Sequence, residues 1–199
     1  MKNRQTANRF TIFVMIALVL ALFLGIFITM KQLSTRQEQT AEKVLTNLLN
    51  APNAELLTAY DSMFDSAAVS SGTGQTYSNG SSSLTTLDSG KVREVISGMF
   101  EGKATDGFLE SCVLGNEIMT LQQYAMMEGI ESALQELSVE KSQQKNTLLY
   151  DAVLTVKAED KDHVTVTVSG QVQFDENGRI SAMTLKSREL SAFYGDMHE

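Results

Sequence analysis

The chain of 199 residues is poor in the residue types that build several common sites. Its one cysteine, Cys112, cannot form an intramolecular disulfide, and there is no Cys/His cluster for structural zinc. The two histidines, His163 and His198, lie far apart without an organised set of carboxylates, so no metal site is predicted. Basic residues are outnumbered, with 16 Lys and Arg against 24 Asp and Glu. The resulting net charge of −8 argues against a nucleic-acid-binding protein, which needs a basic face to neutralise phosphates.

Motifs for phosphate cradles and nucleophiles are also missing. The sequence contains no Walker-type loop, no nucleophile elbow and no G-x-G-x-x-G after a strand. We therefore predict no cofactor. A hydrophobic content of 43% nevertheless allows a core, and the length supports about one ordinary domain.

One long hydrophobic run is present, at residues 10–30, and it carries no charge over 21 residues. As a helix it would reach roughly 31 Å at about 1.5 Å per residue, which matches the hydrocarbon core of a bilayer. A cleaved signal peptide is the alternative, but the residues after Phe27 offer no small-x-small cleavage site. The run is interpreted as an uncleaved, single-pass transmembrane helix.

Charge predicts the orientation of this helix. Residues 1–36 contain five basic residues and no acid, whereas the remainder contains 11 basic and 24 acidic residues, a net charge of −13. Three of the basic residues precede the run and two follow it, so the positive-inside rule places residues 1–9 as a short cytoplasmic tail. The rest of the chain is then an acidic extracytoplasmic domain on the cell membrane.

Small residues recur every four positions within the run, at Ala17, Ala21, Gly25 and Thr29. Such spacing lines one helix face and lets two helix backbones approach closely, which makes this stripe a candidate for self-association into a homo-oligomer. The alternative is that small residues are simply common in membrane helices.

Residues 31–69 carry two apolar stripes at helical spacing and are interpreted as juxtamembrane helices. Pro52 separates them, and Asn53 is predicted to cap the second.

Residues 70–90 contain seven Ser and four Gly, a composition typical of a flexible loop. Whether this loop separates two units or decorates one domain is left open by the sequence.

Residues 91–190 are predicted to form an α+β domain, followed by a tail at 191–199. Alternation with period two predicts antiparallel strands over residues 147–160, 163–175 and 179–188. Asn177-Gly178 is predicted to supply positive φ angles in the last hairpin turn. Residues 130–141 fit a strand or a continuing helix. Helices followed by a strand meander imply helices packed on one sheet face.

The apolar strand faces contain Tyr150 but no His, Asp, Glu or Lys, so no catalytic residue is predicted. Asp106 and Glu110 are interpreted as capping and solvated residues, and Cys112 as a buried structural thiol. A methionine-rich segment is more often part of a core than of a binding surface. As the alternative it offers a candidate pocket lining, formed by Tyr124, Met126, Met127 and Tyr150.

Three segments carry a resemblance to a known fold: TDGFLESCVLGN, YAMMEGIESALQELSVEK and YDAVLTVKAEDKDHVTVTVSGQVQFDENGRISAMTL. Together they resemble the nuclear-transport-factor-2-like fold, a curved antiparallel sheet wrapped around helices into a cone. With one amino-terminal membrane helix, the chain is similar to the bitopic scaffold subunits of Gram-positive conjugative type IV secretion systems. The resemblance is one of architecture over residues 91–190 and the anchor, and the Ser/Gly-rich loop departs from it.

Three functional hypotheses follow. The first is a membrane-anchored interaction or scaffold protein that docks other envelope proteins, in conjugative transfer if the resemblance extends to function. The second is an extracytoplasmic cone that binds a small ligand or acts on it. The third, a transmembrane sensor, ranks last because about nine cytoplasmic residues leave little room for an effector.

Overall fold

The computed structural model describes residues 34–71, 89–158 and 162–195. The chain forms two compact units, Met1–Gln39 and Thr40–Glu199. The predicted transmembrane run, the four small residues within it and most of the Ser/Gly-rich loop lie outside the described residues. Within the described residues, no helix combines the length and apolar character needed to cross a bilayer.

The second unit is an α+β fold with a four-stranded antiparallel sheet, as the sequence predicts. Its elements are the helical residues 34–49 (α1, of which 40–49 belong to this unit), α2 (Ala54–Ser71), α3 (Gly90–Met99), α4 (Asp106–Val113), a 3-10 turn (Glu117–Met119), α5 (Thr120–Glu128), β1 (Glu131–Lys141), β2 (Thr147–Lys157), β3 (Val164–Phe174), β4 (Ile180–Lys186) and α6 (Arg188–Gly195). The strand order in space is β1-β2-β3-β4, so every strand pairs with its neighbour in the sequence. Residues 130–141, ambiguous by periodicity, thus form the edge strand β1.

One hydrophobic cluster joins the helices to the inner face of the sheet. The stripe on α1 that the sequence marks is fully buried, and so are the alternating inward residues of β2 from Leu148 to Val156. Burial of these side chains follows directly from their spacing, because a helix presents one face every three to four residues and a strand every two. The shared core explains why helices and sheet form one unit.

Side chains connect α1 to α2 by forming hydrogen bonds with backbone groups at the end of α1 and the start of α2. The Asn53 side-chain oxygen accepts a 2.9 Å hydrogen bond from the backbone N–H of Leu56, which confirms the predicted cap of α2. The buried amide of Gln122 on α5 donates to the carbonyl oxygens of Leu48 and Asn50, both at 3.0 Å. Its own oxygen accepts from the backbone N–H of Asn53 at 2.9 Å. One side chain therefore holds the end of α1 and the start of α2.

Two sequence expectations differ from the structure. In the last hairpin turn only Gly178 has a positive φ, of 75°, while Asn177 does not. The Asp175 carboxylate accepts hydrogen bonds from the backbone N–H groups of Asn177 and Arg179, and these bonds hold the turn between β3 and β4.

The predicted tail at 191–199 begins as a helix, because α6 continues to Gly195. Ser187 caps α6 by accepting a 3.0 Å hydrogen bond from the backbone N–H of Leu190. Leu190, Phe193 and Tyr194 recur at helical spacing and are buried in the core.

Candidate functional site

The four residues proposed as a pocket lining do not come together in one cavity. Tyr124 and Tyr150 line different clefts. Met127 is 75% exposed, and Met126 is half-buried on α5. The methionine-rich segment is the short helix α5, whose buried residues are Leu121, Gln122 and Ala125.

The cleft beside Tyr124 has a volume of about 400 Å³ and lies between the 3-10 turn, α5, the end of β4 and α6. Its position depends on α6, which follows β4 directly and packs back towards α5. We call it the tyrosine cleft, and it is lined by Glu117, Thr120, Tyr124, Leu185, Ser187, Leu190, Ser191, Tyr194 and Gly195.

Two stacked rings form one wall of the tyrosine cleft. The ring centroids of Tyr124 and Tyr194 are 3.6 Å apart, and the ring planes differ by 15°. Tyr194 is only 6% exposed, and its buried hydroxyl has no hydrogen-bond partner within the described residues. Burial raises the pKa of the Tyr194 hydroxyl above its ordinary value, and the nearby Tyr124 raises it further. A buried hydroxyl without a partner is costly, so this atom is an exception to the usual pairing of buried polar groups.

Tyr150 lies at the centre of the sheet and has a structural role. Its hydroxyl donates a 2.8 Å hydrogen bond to the carbonyl oxygen of Thr184 on β4. The side chain passes across Gly170, its partner on the intervening strand β3. Burial raises the pKa of this hydroxyl well above its ordinary value, and the negative charge of Glu117 raises it further. Tyr150 is thus a neutral donor fixed to the backbone of the neighbouring strand.

The side of the sheet opposite the core carries polar side chains in aligned rows. Asp151 lies opposite Ser138 and Ser169, and Ser169 lies opposite Lys186. We call this surface the outer sheet face and define it by Ser138, Glu140, Leu149, Asp151, Thr165, Thr167, Ser169, Gln171, Thr184 and Lys186, all exposed or half-buried. A cleft of about 320 Å³ lies over its central rows.

The buried polar side chains of the described residues serve the fold. Besides Gln122, these are Ser132 and Thr147. The Ser132 hydroxyl donates to the carbonyl oxygen of Leu49 at 2.7 Å, and the Thr147 hydroxyl donates to that of Lys145 at 3.3 Å. In the part of the chain that the structure describes, no group of three or more His, Cys, Asp or Glu residues is arranged to hold a metal ion.

The remaining reactive residue types lie away from both clefts. Cys112 is buried on α4, and burial raises the pKa of its thiol to about 12, an effect that a hydrogen bond with the Ser111 side chain reduces. His163 is exposed before β3, and His198 lies outside the described residues. Asp106 contacts Arg93 at 2.8 Å on the exposed surface of the helices, with Glu110 at 4.0 Å from the same guanidinium.

Sequence reasoning located Tyr124 but missed Tyr194 and Glu117, which share its cleft. Tyr194 was assigned to the tail, although Leu190, Phe193 and Tyr194 after a serine have the spacing of a capped amphipathic helix. Glu117 carries no local sequence signal, because only the fold of α6 brings the two regions together.

Comparison of the chain with protein-family models, with curated proteins and with solved structures finds no match. The functional argument therefore rests on the site residues themselves.

Proposed function

We propose that this protein is a membrane-anchored, extracytoplasmic interaction protein that docks other subunits of an envelope assembly. The observation that carries the proposal is the outer sheet face, which is accessible and polar on a domain whose buried Gln122, Ser132 and Thr147 side chains form hydrogen bonds within the fold. The resemblance to the cone-shaped scaffold subunits of conjugative secretion systems supports the same function.

The size of the outer sheet face suits a protein partner. At about 4.8 Å spacing, three strands roughly 36 Å long and the shorter β4, roughly 23 Å long, offer an area on the order of 600 Å². That area approaches the about 800 Å² that each partner contributes to a specific interface of standard size. Serine, threonine and glutamine side chains supply donors and acceptors without a large desolvation cost, which suits a wet, reversible contact.

The anchor in this proposal is the charge-free run at residues 10–30. An uncleaved span with its amino end in the cytoplasm places the acidic domain outside the cell, where it meets other envelope proteins rather than nucleic acid. The small-residue stripe from Ala17 to Thr29 supports a second copy as one of the partners.

A site-specific photocrosslinking experiment tests the docking face. A photoreactive amino acid replaces Asp151 or Thr165 on the outer sheet face of the full-length chain in its native host, and Arg93 or Glu128 on the helical surface as matched exposed controls. We expect discrete crosslinked products from the sheet positions and none from the controls. Equal patterns at all four positions, or a chain that stays uncrosslinked and monomeric in detergent, would contradict the proposal.

A protease-protection experiment tests the location separately. Trypsin added to intact cells or protoplasts should remove the domain after Arg36 while leaving an anchored fragment in the membrane. Complete protection would place the domain in the cytoplasm, and recovery of the domain as a clipped, soluble product would remove the anchor.

A second function, binding of a small ligand by the extracytoplasmic domain, is favoured by one observation. The tyrosine cleft has a volume of about 400 Å³, within the range of small-ligand sites, and is lined by aromatic, apolar and polar side chains. This function is compatible with docking, because the tyrosine cleft and the outer sheet face are formed by largely different residues.

A further inference from the structure

The lining of the tyrosine cleft is unbalanced in charge. Glu117 is its acidic residue, and its described lining contains no Lys, Arg or His. An anionic ligand would therefore meet a carboxylate and no compensating cation, which disfavours phosphates and carboxylates at this place.

Two of the hydroxyl groups that line the cleft are committed as donors. The Thr120 hydroxyl donates to the carbonyl oxygen of Glu117 at 2.6 Å, and the Ser191 hydroxyl donates to that of Ser187 at 2.8 Å. Each oxygen keeps lone pairs after its proton is used. Together with the Glu117 carboxylate, the Thr120 and Ser191 oxygens give the cleft several hydrogen-bond acceptors. These acceptors favour a ligand with donor groups.

The aromatic wall adds a second preference. Tyrosine rings have electron-rich faces that attract cations, and the half-buried ring of Tyr124, stacked on Tyr194, lines the cleft. Leu185 and Leu190 supply an apolar floor for a short carbon chain. The volume of about 400 Å³ lies within the range of small-ligand sites.

We infer that the tyrosine cleft binds an alkylammonium group. In this arrangement the ammonium N–H groups donate to the Glu117 carboxylate and to the hydroxyl oxygens, while the carbon chain packs on Tyr124 and the two leucines. The group belongs to a free amine or to a lysine side chain of a protein, and both present the same chemistry.

The test uses a charge series on the full-length chain in a neutral detergent. The probes are n-butylammonium, n-butanol and n-butyrate at pH 7, which share a carbon chain and differ in their head group. Binding is read from ¹³C-labelled tyrosine resonances and from tyrosine fluorescence, which is not masked because the chain has no Trp. We expect saturable binding of n-butylammonium in the range of about 1–10 mM, at least about threefold tighter than that of n-butanol.

Two variants test which groups of the cleft contact n-butylammonium. Glu117→Gln removes the charge at constant shape and should abolish the preference for n-butylammonium over n-butanol. Tyr194→Phe keeps the ring of the aromatic wall and should bind n-butylammonium as the parent chain does, with a melting temperature that is unchanged or higher, because the removed hydroxyl is buried and has no described partner. Glu128→Gln, at the exposed end of α5, is the matched charge control and should bind as the parent chain does.

Equal binding of n-butylammonium and n-butanol, or a preference for n-butylammonium that survives in Glu117→Gln, would overturn the inference. So would saturating n-butylammonium that leaves the Tyr124 and Tyr194 resonances unmoved. Nα-acetyl-lysine amide separates the two sources: if it binds more tightly than n-butylammonium, the lysine of a protein is indicated, and if it binds more weakly, a free amine is indicated.

Discussion

The hydroxyl of Tyr150 reaches the carbonyl oxygen of Thr184, 2.8 Å away, by crossing a strand that has a glycine at the crossing point. Tyr150 on β2 and Thr184 on β4 are separated by β3, where Gly170 lies opposite Tyr150. A Cβ atom at position 170 would lie 1.9 Å from the Thr184 oxygen and 2.8 Å from the Tyr150 side chain. The glycine and the tyrosine therefore depend on each other.

Replacement of Gly170 by alanine is expected to lower the free energy of unfolding by about 3 kcal/mol or more, because backbone must move to relieve the contact. Urea denaturation of the full-length chain measures the change. Gly98→Ala on α3 is the matched control, because nothing lies within 4 Å of its Cβ, and it should be neutral or stabilising by up to about 1 kcal/mol. Equal losses at the two positions would contradict the crossing.

Replacement of Tyr150 by phenylalanine keeps the ring and removes the hydroxyl. Loss of one hydrogen bond to a backbone carbonyl should cost about 1–2 kcal/mol of unfolding free energy. The double variant with Gly170→Ala should remain severely destabilised, because the Thr184 oxygen is the nearer obstacle. A rescue by Tyr150→Phe would contradict the Thr184 oxygen as the main obstacle to a side chain at position 170.

Replacement of Gln122 by methionine should cost about 2–4 kcal/mol, because the volume is kept while two carbonyl oxygens and one N–H group lose their partner. The adjacent Gln123→Met is the control, and it should change the unfolding free energy by no more than about 0.5 kcal/mol. Thermal and urea unfolding of both variants give the comparison. If the two losses are similar, Gln122 does not hold the helix junction.

The thiol of Cys112 is expected to resist alkylation in the folded protein. Burial raises its pKa to about 12, so only about one thiol in ten thousand is ionised at pH 8, and access is blocked as well. A chromogenic disulfide reagent should react with it only after urea is added. In a Cys112→Ala background, Leu114→Cys places a thiol at a position that is 80% exposed, and this thiol should react without denaturant. Rapid labelling of native Cys112 would contradict its burial.

Asp175 gives the domain a pH dependence in acid. The backbone N–H of Arg179 lowers the pKa of this carboxyl most, and the Arg179 side chain and the N–H of Asn177 lower it further. Since the folded pKa lies below the unfolded value of about 3.8, the stabilisation is present above that value and is lost as the pH falls through the folded pKa. NMR titration of the Asp175 carboxyl should give a pKa below 3.8. Asp175→Asn should reduce the loss of unfolding free energy that occurs as the pH falls in acid. A normal pKa would show that the turn does not hold the carboxylate.

Patterns within single elements were sufficient to predict most of the architecture. The stripe on α1 and the alternation of β2 and β3 report directly which side chains are buried, because burial follows the period of each element. The Asn53 cap was predictable for a similar reason, since a cap depends on only three or four consecutive residues.

The candidate site was harder to predict, because its residues come from distant parts of the chain. Glu117, Tyr124 and Tyr194 meet only when α6 folds back from the end of β4. Gln122 looked like an ordinary polar residue of a short helix, yet its partners at Leu48 and Asn50 lie 74 and 72 residues away. No local period encodes such contacts.

The nearest-neighbour order of the strands has a consequence for how the domain is assembled. Each hairpin of the sheet closes a short loop, so the entropic cost of pairing is low at every step. The hydroxyl of Ser132 meets the carbonyl of Leu49 across 83 residues, and this closure is slow by comparison. Since translation starts at the amino end, we expect the terminal carbonyls of α1 to remain hydrated until β1 emerges from the ribosome. The end of α1 therefore gains the Ser132 hydroxyl as its partner only after 83 further residues have been made.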